Sequence, residues 1–231
     1  MKFLEHSGLA DLEMKLSGLE VGDFVLDSKF EAYSCKLAMG DKELSKSLDR
    51  RFNEEMERSQ RSPQYLSLSP VGPLTESTSR RTLLNLICTL NAAYPDYDFS
   101  TLTLDCLTRE KSVESVVRRI DSNLEQVYKC LGQSLRTALW TAIDEVIAPN
   151  DCEIYSYVSD NEETPFDMEF EVWSTHLFFY NKRQKKVLLV SLSAYNRFAL
   201  ETIEEEEADD MEFEMDGMDD TFGSRTPALA Y

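Results

Sequence analysis

Histidine and glycine are scarce in this chain: two histidines and eight glycines among 231 residues. A loop that cradles a phosphate needs clustered glycines. The eight here are scattered, so neither G-x-G-x-x-G nor a Walker loop exists. His6 and His176 stand far apart, and neither has a Cys, His or carboxylate at metal-ligand spacing. No metal and no cofactor is expected. A G-x-S-x-G nucleophile motif is also missing. No apolar run approaches the ~18 residues needed to span a bilayer, so no membrane association is expected. The five cysteines (Cys35, Cys88, Cys106, Cys130 and Cys152) form no C-x-x-C pair. Their odd number and long gaps, with no secretory segment at the start, suit reduced thiols in a cytosolic or nuclear protein.

Positive charge is the next shortage. Lys and Arg number 24 against 43 Asp and Glu, a formal net charge of -19. Residues 201–220 hold twelve of the acids and no base. The remainder is only mildly acidic. Such a balance argues against direct sequence-specific nucleic-acid binding, because phosphates need clustered Lys and Arg. Acids in a polyanionic tail cannot hold a fixed separation, which removes them from general acid–base chemistry. The expectation is a non-catalytic protein that works by binding.

What is present suits one folded body. Hydrophobic residues are 42% of the chain, enough for a core. A short helix is predicted over residues 7–17, with Ser7 as its cap and Leu9, Leu12 and Leu16 on one face. Strands follow at 23–27 and 30–36. Residues 40–79 read as a linker: the first part, 41–61, is charged and at most transiently helical, without a sustained apolar stripe, and the second is rich in proline and serine. A helix from about Arg80 must stop before Pro95. Others run from the cap Ser112 to Gly132 and from Ser134 to Ala148. Three strands come last, at 152–158, 171–180 and 187–193, the final two joined by a polar hairpin connector.

The predicted fold is α+β: a single domain with a central antiparallel sheet of about five strands packed with helices. Residues 1–39 and 80–200 build it together, with strands from both parts in one sheet. Residues 40–79 form a flexible, phosphorylatable linker and residues 201–231 a disordered acidic tail.

Two features stand out. The first is Pro95-Asp-Tyr-Asp-Phe-Ser100, which leaves a helix through a proline and alternates acid with aromatic. Residue physics favours Tyr97 and Phe99 as core plugs, with Asp96 and Asp98 taking turn amides; partner contact is the alternative. The second is the hairpin from Trp173 to Ser193. Its connector bases Lys182, Arg183, Lys185 and Lys186 suit either a solvated tip that blunts an edge strand or a nuclear import signal.

These pieces resemble the Maf-one family of RNA polymerase III repressors. The resemblance rests on Met1-Lys-Phe-Leu-Glu5, Glu31-Ala-Tyr-Ser-Cys-Lys36, Arg81-Thr-Leu, Leu90-Asn91, Pro95–Ser100, Ile154-Tyr-Ser-Tyr157, Trp173-Ser174 and Phe178-Phe-Tyr-Asn-Lys-Arg183, in the family's order. The chain departs from the family at His176 and Leu177, where Asn and Tyr are common. The resemblance implies a repressor of tRNA and 5S RNA synthesis without catalytic activity. It implies binding to the RNA polymerase III core, with TFIIIB subunits as further candidates, and blocked recruitment to TFIIIB-bound promoters. It also implies linker phosphorylation under target-of-rapamycin signalling, a kinase and a phosphatase as partners, and shuttling between nucleus and cytoplasm. The proline-directed Ser62 and Ser69 fit that control. Asp96, Tyr97, Asp98, Phe99, Trp173, Tyr180 and Asn181 are the family-motif residues and candidates for partner contact. A monomer is expected. The competing readings are a phosphorylation-controlled adaptor or scaffold and an enzyme with a Cys–His–Asp site assembled in three dimensions.

Overall fold

The alternating strands Phe178–Tyr180 and Val187–Leu192 have apolar residues on both faces, so both faces of their sheet must be covered. The computed structural model, which describes residues 1–58, 69–159, 164–166 and 170–199, shows how. Seven strands form one antiparallel sheet: β1 (Lys2–Leu4), β2 (Leu19–Val21), β3 (Phe24–Ser34), β4 (Leu107–Arg109), β5 (Glu153–Tyr157), β6 (Glu171–Asn181) and β7 (Lys186–Asn196). Their order is β1-β3-β7-β6-β5-β4, with β2 also on β3. Strand β3 pairs with β7 from Phe24–Asn196 to Ser34–Lys186. The N-terminal residues therefore enter the same sheet as the C-terminal ones, as the single-domain reading requires.

Strand parity sorts the core into two halves. On one face, Leu26, Phe30, Leu177, Phe179, Leu188, Val190 and Leu192 meet α1 (Ser7–Leu16), α4 (Val113–Asn123), α5 (Glu125–Leu131) and α6 (Ser134–Ile147). On the other, Tyr33, Tyr155, Tyr157, Phe178, Tyr180, Val187 and Leu189 meet α2 (Met39–Arg58) and α3 (Ser77–Ala93). One-residue alternation along β6 and β7 feeds both halves, the period-2 signature of a strand buried on two sides.

The structure differs from the sequence reading at several points. The strands expected at 23–27 and 30–36 are one strand, β3. The polar Asp27-Ser28-Lys29 between them does not break it. Ser28 faces inward, where its Oγ lies 3.0 Å from Ser17 Oγ, and Asp27 and Lys29 point to the other side. That merger leaves four of the expected five strands, and three short ones, β1, β2 and β4, bring the total among the described residues to seven. Ser7 is the first residue of α1 and not its cap; His6 holds the cap position. The helix expected from Ser112 to Gly132 divides at Leu124, although Ser112 caps as expected, its Oγ accepting the Ser115 N–H at 3.2 Å. The hairpin β6–β7 lies in the middle of the sheet, so its tip guards no edge.

The largest correction is in the linker. Residues 39–58 form helix α2, packed on the second core half through Leu48 and Phe52, with Leu44 partly covered. Leu44, Leu48 and Phe52 recur every four residues, a narrow stripe that the surrounding charges conceal. Asp41 anchors the start of the helix. It accepts the Ala38 N–H at 2.6 Å and pairs with the Met1 amine. Burial opposes its ionisation, but these donors outweigh that cost and hold its pKa below the usual carboxylate value. Val71 and Leu74 are buried too, so residues 69–76 dock on the body. Ser62 and the 201–231 tail lie outside the described residues.

Where β1 and β2 leave β3 uncovered, α1 supplies side chains instead. Glu13 Oε2 accepts the Phe30 N–H at 3.0 Å, and Ser17 Oγ donates to the Ser28 carbonyl at 2.7 Å. An open stretch of strand edge is thereby closed to pairing with another chain.

Candidate partner-binding surface

The hairpin tip is built from the inside outward. Asn181, fully buried at the end of β6, donates from Nδ2 to the Ile147 carbonyl at 2.9 Å. Its Oδ1 accepts the Gln184 N–H at 3.0 Å. One side chain thus joins the last turn of α6 to the β6–β7 turn. Tyr180, beside it, accepts a hydrogen bond from Asn85 of α3 at 3.0 Å. Both residues hold the tip in place from within, and neither presents a surface to a partner.

The bases stand on this frame. Lys182 pairs with Glu153 at 2.8 Å, and Arg109 reaches the same carboxylate at 3.3 Å. Burial opposes ionisation of Glu153, but Lys182, Tyr155 and Arg109 outweigh it and lower its pKa. Lys186 Nζ donates to the Val146 carbonyl at 3.3 Å, at the negative end of α6. Arg183 is 85% exposed, and its 3.7 Å approach to Asp151 contributes little. Lys185 is exposed at a positive φ of 54°, with its carbonyl accepting the Cys35 N–H. The sheet register brings more charge to this end. Ser34 pairs with Lys186, which carries the exposed Lys36 here, and Lys111 follows β4. Arg81 of α3 acts electrostatically on both Cys35 and Tyr180.

The opposite end of the sheet is acidic. Glu20, Asp23, Asp27 and Glu171 are exposed around the strand ends at Phe24 and Asn196, and the described chain leaves there toward residue 200. Bases therefore outnumber their partners Glu153 and Asp151 at the hairpin tip, a cationic pole, while acids outnumber Arg197, the partner of Glu20, at the other end. That separation is what a surface that steers a charged macromolecule requires.

The remaining motif residues have other places. Phe99 is buried among aromatic rings, and its N–H donates to Asn91 Oδ1 at 2.8 Å. Asp98 Oδ1 accepts the Ser100 N–H at 2.9 Å, and hydrogen bonds from the Ser100 side chain and then its backbone lower the Asp98 pKa. These two follow the expected division of labour. Tyr97 does not: it is 41% exposed, so it plugs no core, and Asp96 is exposed beside it. Trp173 packs edge-on against Phe24, ring centres 6.3 Å apart, at the acidic end of the sheet. The motif thus does not converge on one site. Ser69 opens the docked turn before α3: its Oγ accepts the Val71 N–H at 3.3 Å and its carbonyl the Gly72 N–H at 2.9 Å.

The comparisons with known proteins fit this architecture. The model of the family described as Maf1 regulator matches residues 26–191, which run from within β3 to the middle of β7. The chain belongs to the Maf1 family. A Schizosaccharomyces pombe protein named repressor of RNA polymerase III transcription maf1 is 37% identical, over 83% of this chain and 82% of its own. A Dictyostelium discoideum repressor of RNA polymerase III transcription is 29% identical, covering 81% and 82%. A crystal structure of citrus MAF1 superposes with a TM-score of 0.65 at 30% identity, covering 82% of this chain and 99% of that one. The single-domain Maf1 architecture is therefore shared with a solved member.

The alternative of an assembled Cys–His site finds no geometry at His176. Its hydrogen-bond partner is Ser191, at 2.8 Å, and not a cysteine. Burial pushes the Cys35 thiol up to about 11 and those of Cys88 and Cys152 to about 12, the reverse of what a nucleophile needs. Among the described residues, no group of three His, Cys, Asp or Glu is placed to hold a metal ion, and no helix is long and apolar enough to cross a membrane. The sequence pointed to the four tip bases, but gave no local signal for Lys36, Arg81, Arg109 and Lys111 beside them. Strand register and the packing of α3 reveal that grouping.

Proposed function

We propose that this protein is a non-catalytic negative regulator of RNA polymerase III transcription. It binds the polymerase core, with TFIIIB subunits as further candidates, and so blocks polymerase recruitment to TFIIIB-bound promoters. The observation that carries the reading is the match over residues 26–191, together with relatives named as repressors of that polymerase. The rigid cationic pole supplies the docking face, with Arg183 as its most exposed base. Lys182, Arg183, Lys185 and Lys186 are also the candidate import signal for shuttling between cytoplasm and nucleus.

Control acts on the linker, through a kinase and a phosphatase downstream of nutrient signalling. A phosphate adds about -1.5 to -2 charges. On Ser69 it would stand at the junction of linker and body, three residues before Gly72, where an added Cβ would lie 2.8 Å from Ser79 Oγ of α3. So close a fit leaves the junction sensitive to added bulk and charge. Replacing Ser62 and Ser69 by Ala is expected to give constitutive repression, read as a fall in tRNA precursors in nutrient-rich cells. Unchanged precursor levels at normal expression of the variant contradict the control mechanism.

A further inference from the structure

The second face of the sheet carries a box of aromatic rings with a plug inside it. Tyr157 of β5, His176 of β6, and Tyr94 and Phe99 beyond the end of α3 form the walls. Phe166 fills the middle. Its ring centre lies 4.3 Å from that of His176, 4.9 Å from Tyr94, 5.2 Å from Tyr157 and 6.1 Å from Phe99. Phe166 belongs to no helix or strand, yet it is only 8% exposed. Two residues earlier, Thr164 Oγ1 is 2.7 Å from Ser159 Oγ, just beyond the end of β5. A hydroxyl clasp and a buried ring therefore fix the same short segment, and the residue between them is Pro165.

We propose that Thr164 is a proline-directed phosphorylation site whose modification withdraws Phe166 from the ring box. The kinase transfers the γ-phosphoryl group of MgATP to Thr164 Oγ1. A new O–P bond forms, the bond from the γ-phosphorus to the bridging oxygen breaks, ADP leaves, and the hydroxyl proton passes to a base of the kinase. Thr164 and Pro165 are half-exposed, and proline follows the acceptor directly. Once esterified, Oγ1 has no proton to share with Ser159, and a dianion stands where the clasp was. The nearest charged residues in sequence are Asp160, Glu162, Glu163 and Asp167, all acids, so the flanking sequence supplies no counter-charge. Lys29 offers no relief: its Nζ lies 4.8 Å over the Tyr94 ring, donates to the Ala93 carbonyl and approaches Glu31 at 3.8 Å.

His176 reports the state of the box. Its Nδ1 faces Ser191 of β7, while its buried Nε2 has no hydrogen-bond partner. The titratable groups nearest the box on this face are Tyr157 from β5, Tyr94 from the end of α3, Tyr195 from β7, and Asp27, Lys29 and Glu31 from β3, with Tyr33, Tyr155 and Tyr180 farther along it. Burial holds the imidazole pKa down to about 4. Withdrawing the Phe166 ring admits water and returns it toward the usual ~6.5.

The test uses the full chain with Ser62→Ala, Ser69→Ala and Thr226→Ala, which leaves Thr164 as the remaining Ser/Thr-Pro acceptor. It is treated with a proline-directed kinase and MgATP, and the phosphate is located by mass spectrometry. Imidazole NMR then follows His176, its signal assigned by His176→Asn. The expected result is phosphate on Thr164 and a titration about two units higher than in the untreated chain. Phe166→Ala, without kinase, is expected to move the titration in the same direction. A folded chain left unmodified at Thr164, stoichiometric phosphate with the titration unmoved, or a Phe166→Ala titration unmoved would each overturn the proposal.

Discussion

Lowering the pH from neutrality to about 4 is expected to cost this protein about 3 kcal/mol more than it costs the His176→Asn variant. The imidazole sits in the ring box, 4% exposed, and its pKa is held down to about 4 by loss of water. Unfolded, the same group titrates near ~6.5. Between those values the unfolded chain binds a proton that the folded chain refuses, so stability rises with pH across that window. The contribution is whole above the unfolded pKa and is lost as the pH falls toward the folded one. Asp41 and Glu153, whose folded pKa values are lowered, also cost stability in acid, and they do so in both proteins. Only the difference between the two pH profiles belongs to His176. Asparagine keeps a polar group for Ser191 and has no titration of its own. Denaturant unfolding at several pH values gives the two profiles; parallel curves contradict the assignment.

Asn181→Ala is expected to destabilise the fold by about 3 kcal/mol, whereas Arg183→Ala changes it by less than about 0.5 kcal/mol. The two positions are neighbours on one turn, and sequence alone gives no reason for the contrast. Burial does. Truncating Asn181 removes the partner of the Ile147 carbonyl and of the Gln184 N–H, and leaves a void under the turn. Arg183 is solvated already. The loss at Asn181 also frees the tip, so faster hydrogen exchange at the Gln184 amide accompanies it. A variant within about 0.5 kcal/mol of the parent protein, with that amide still protected, contradicts the role given to Asn181.

The same two residues show what sequence makes legible. The strand pair flanking the tip has a strong period-2 pattern, so β6 and β7 can be read directly, and helices ending at Pro95 and Pro149 carry their own stop signals. Helix α2 is harder. Its buried stripe is three residues wide on a charged background, and its stability comes from packing on α3, which local pattern does not report. The continuity of β3 through Asp27-Ser28-Lys29 depends on Ser17, eleven residues from Ser28 along the chain. The cationic pole is half visible in the sequence. Four bases in one connector are a sequence motif; the bases that join them come from β4, α3 and the end of β3, which the sheet order and the packing of α3 bring near. The motif at Pro95–Ser100 is the converse case: contiguous in sequence, yet divided in space between a buried Phe99 and an exposed Tyr97.

We propose above that the folded body docks on RNA polymerase III through its cationic pole. Equilibrium binding of the purified full chain to purified polymerase tests it most directly, with the Arg183→Glu, Lys185→Glu double variant measured beside it at several salt concentrations. The account requires saturable binding by the parent chain, weakened about tenfold or more in the variant and by added salt. A folded parent chain that does not bind, or a variant that binds equally well at every salt concentration, contradicts it.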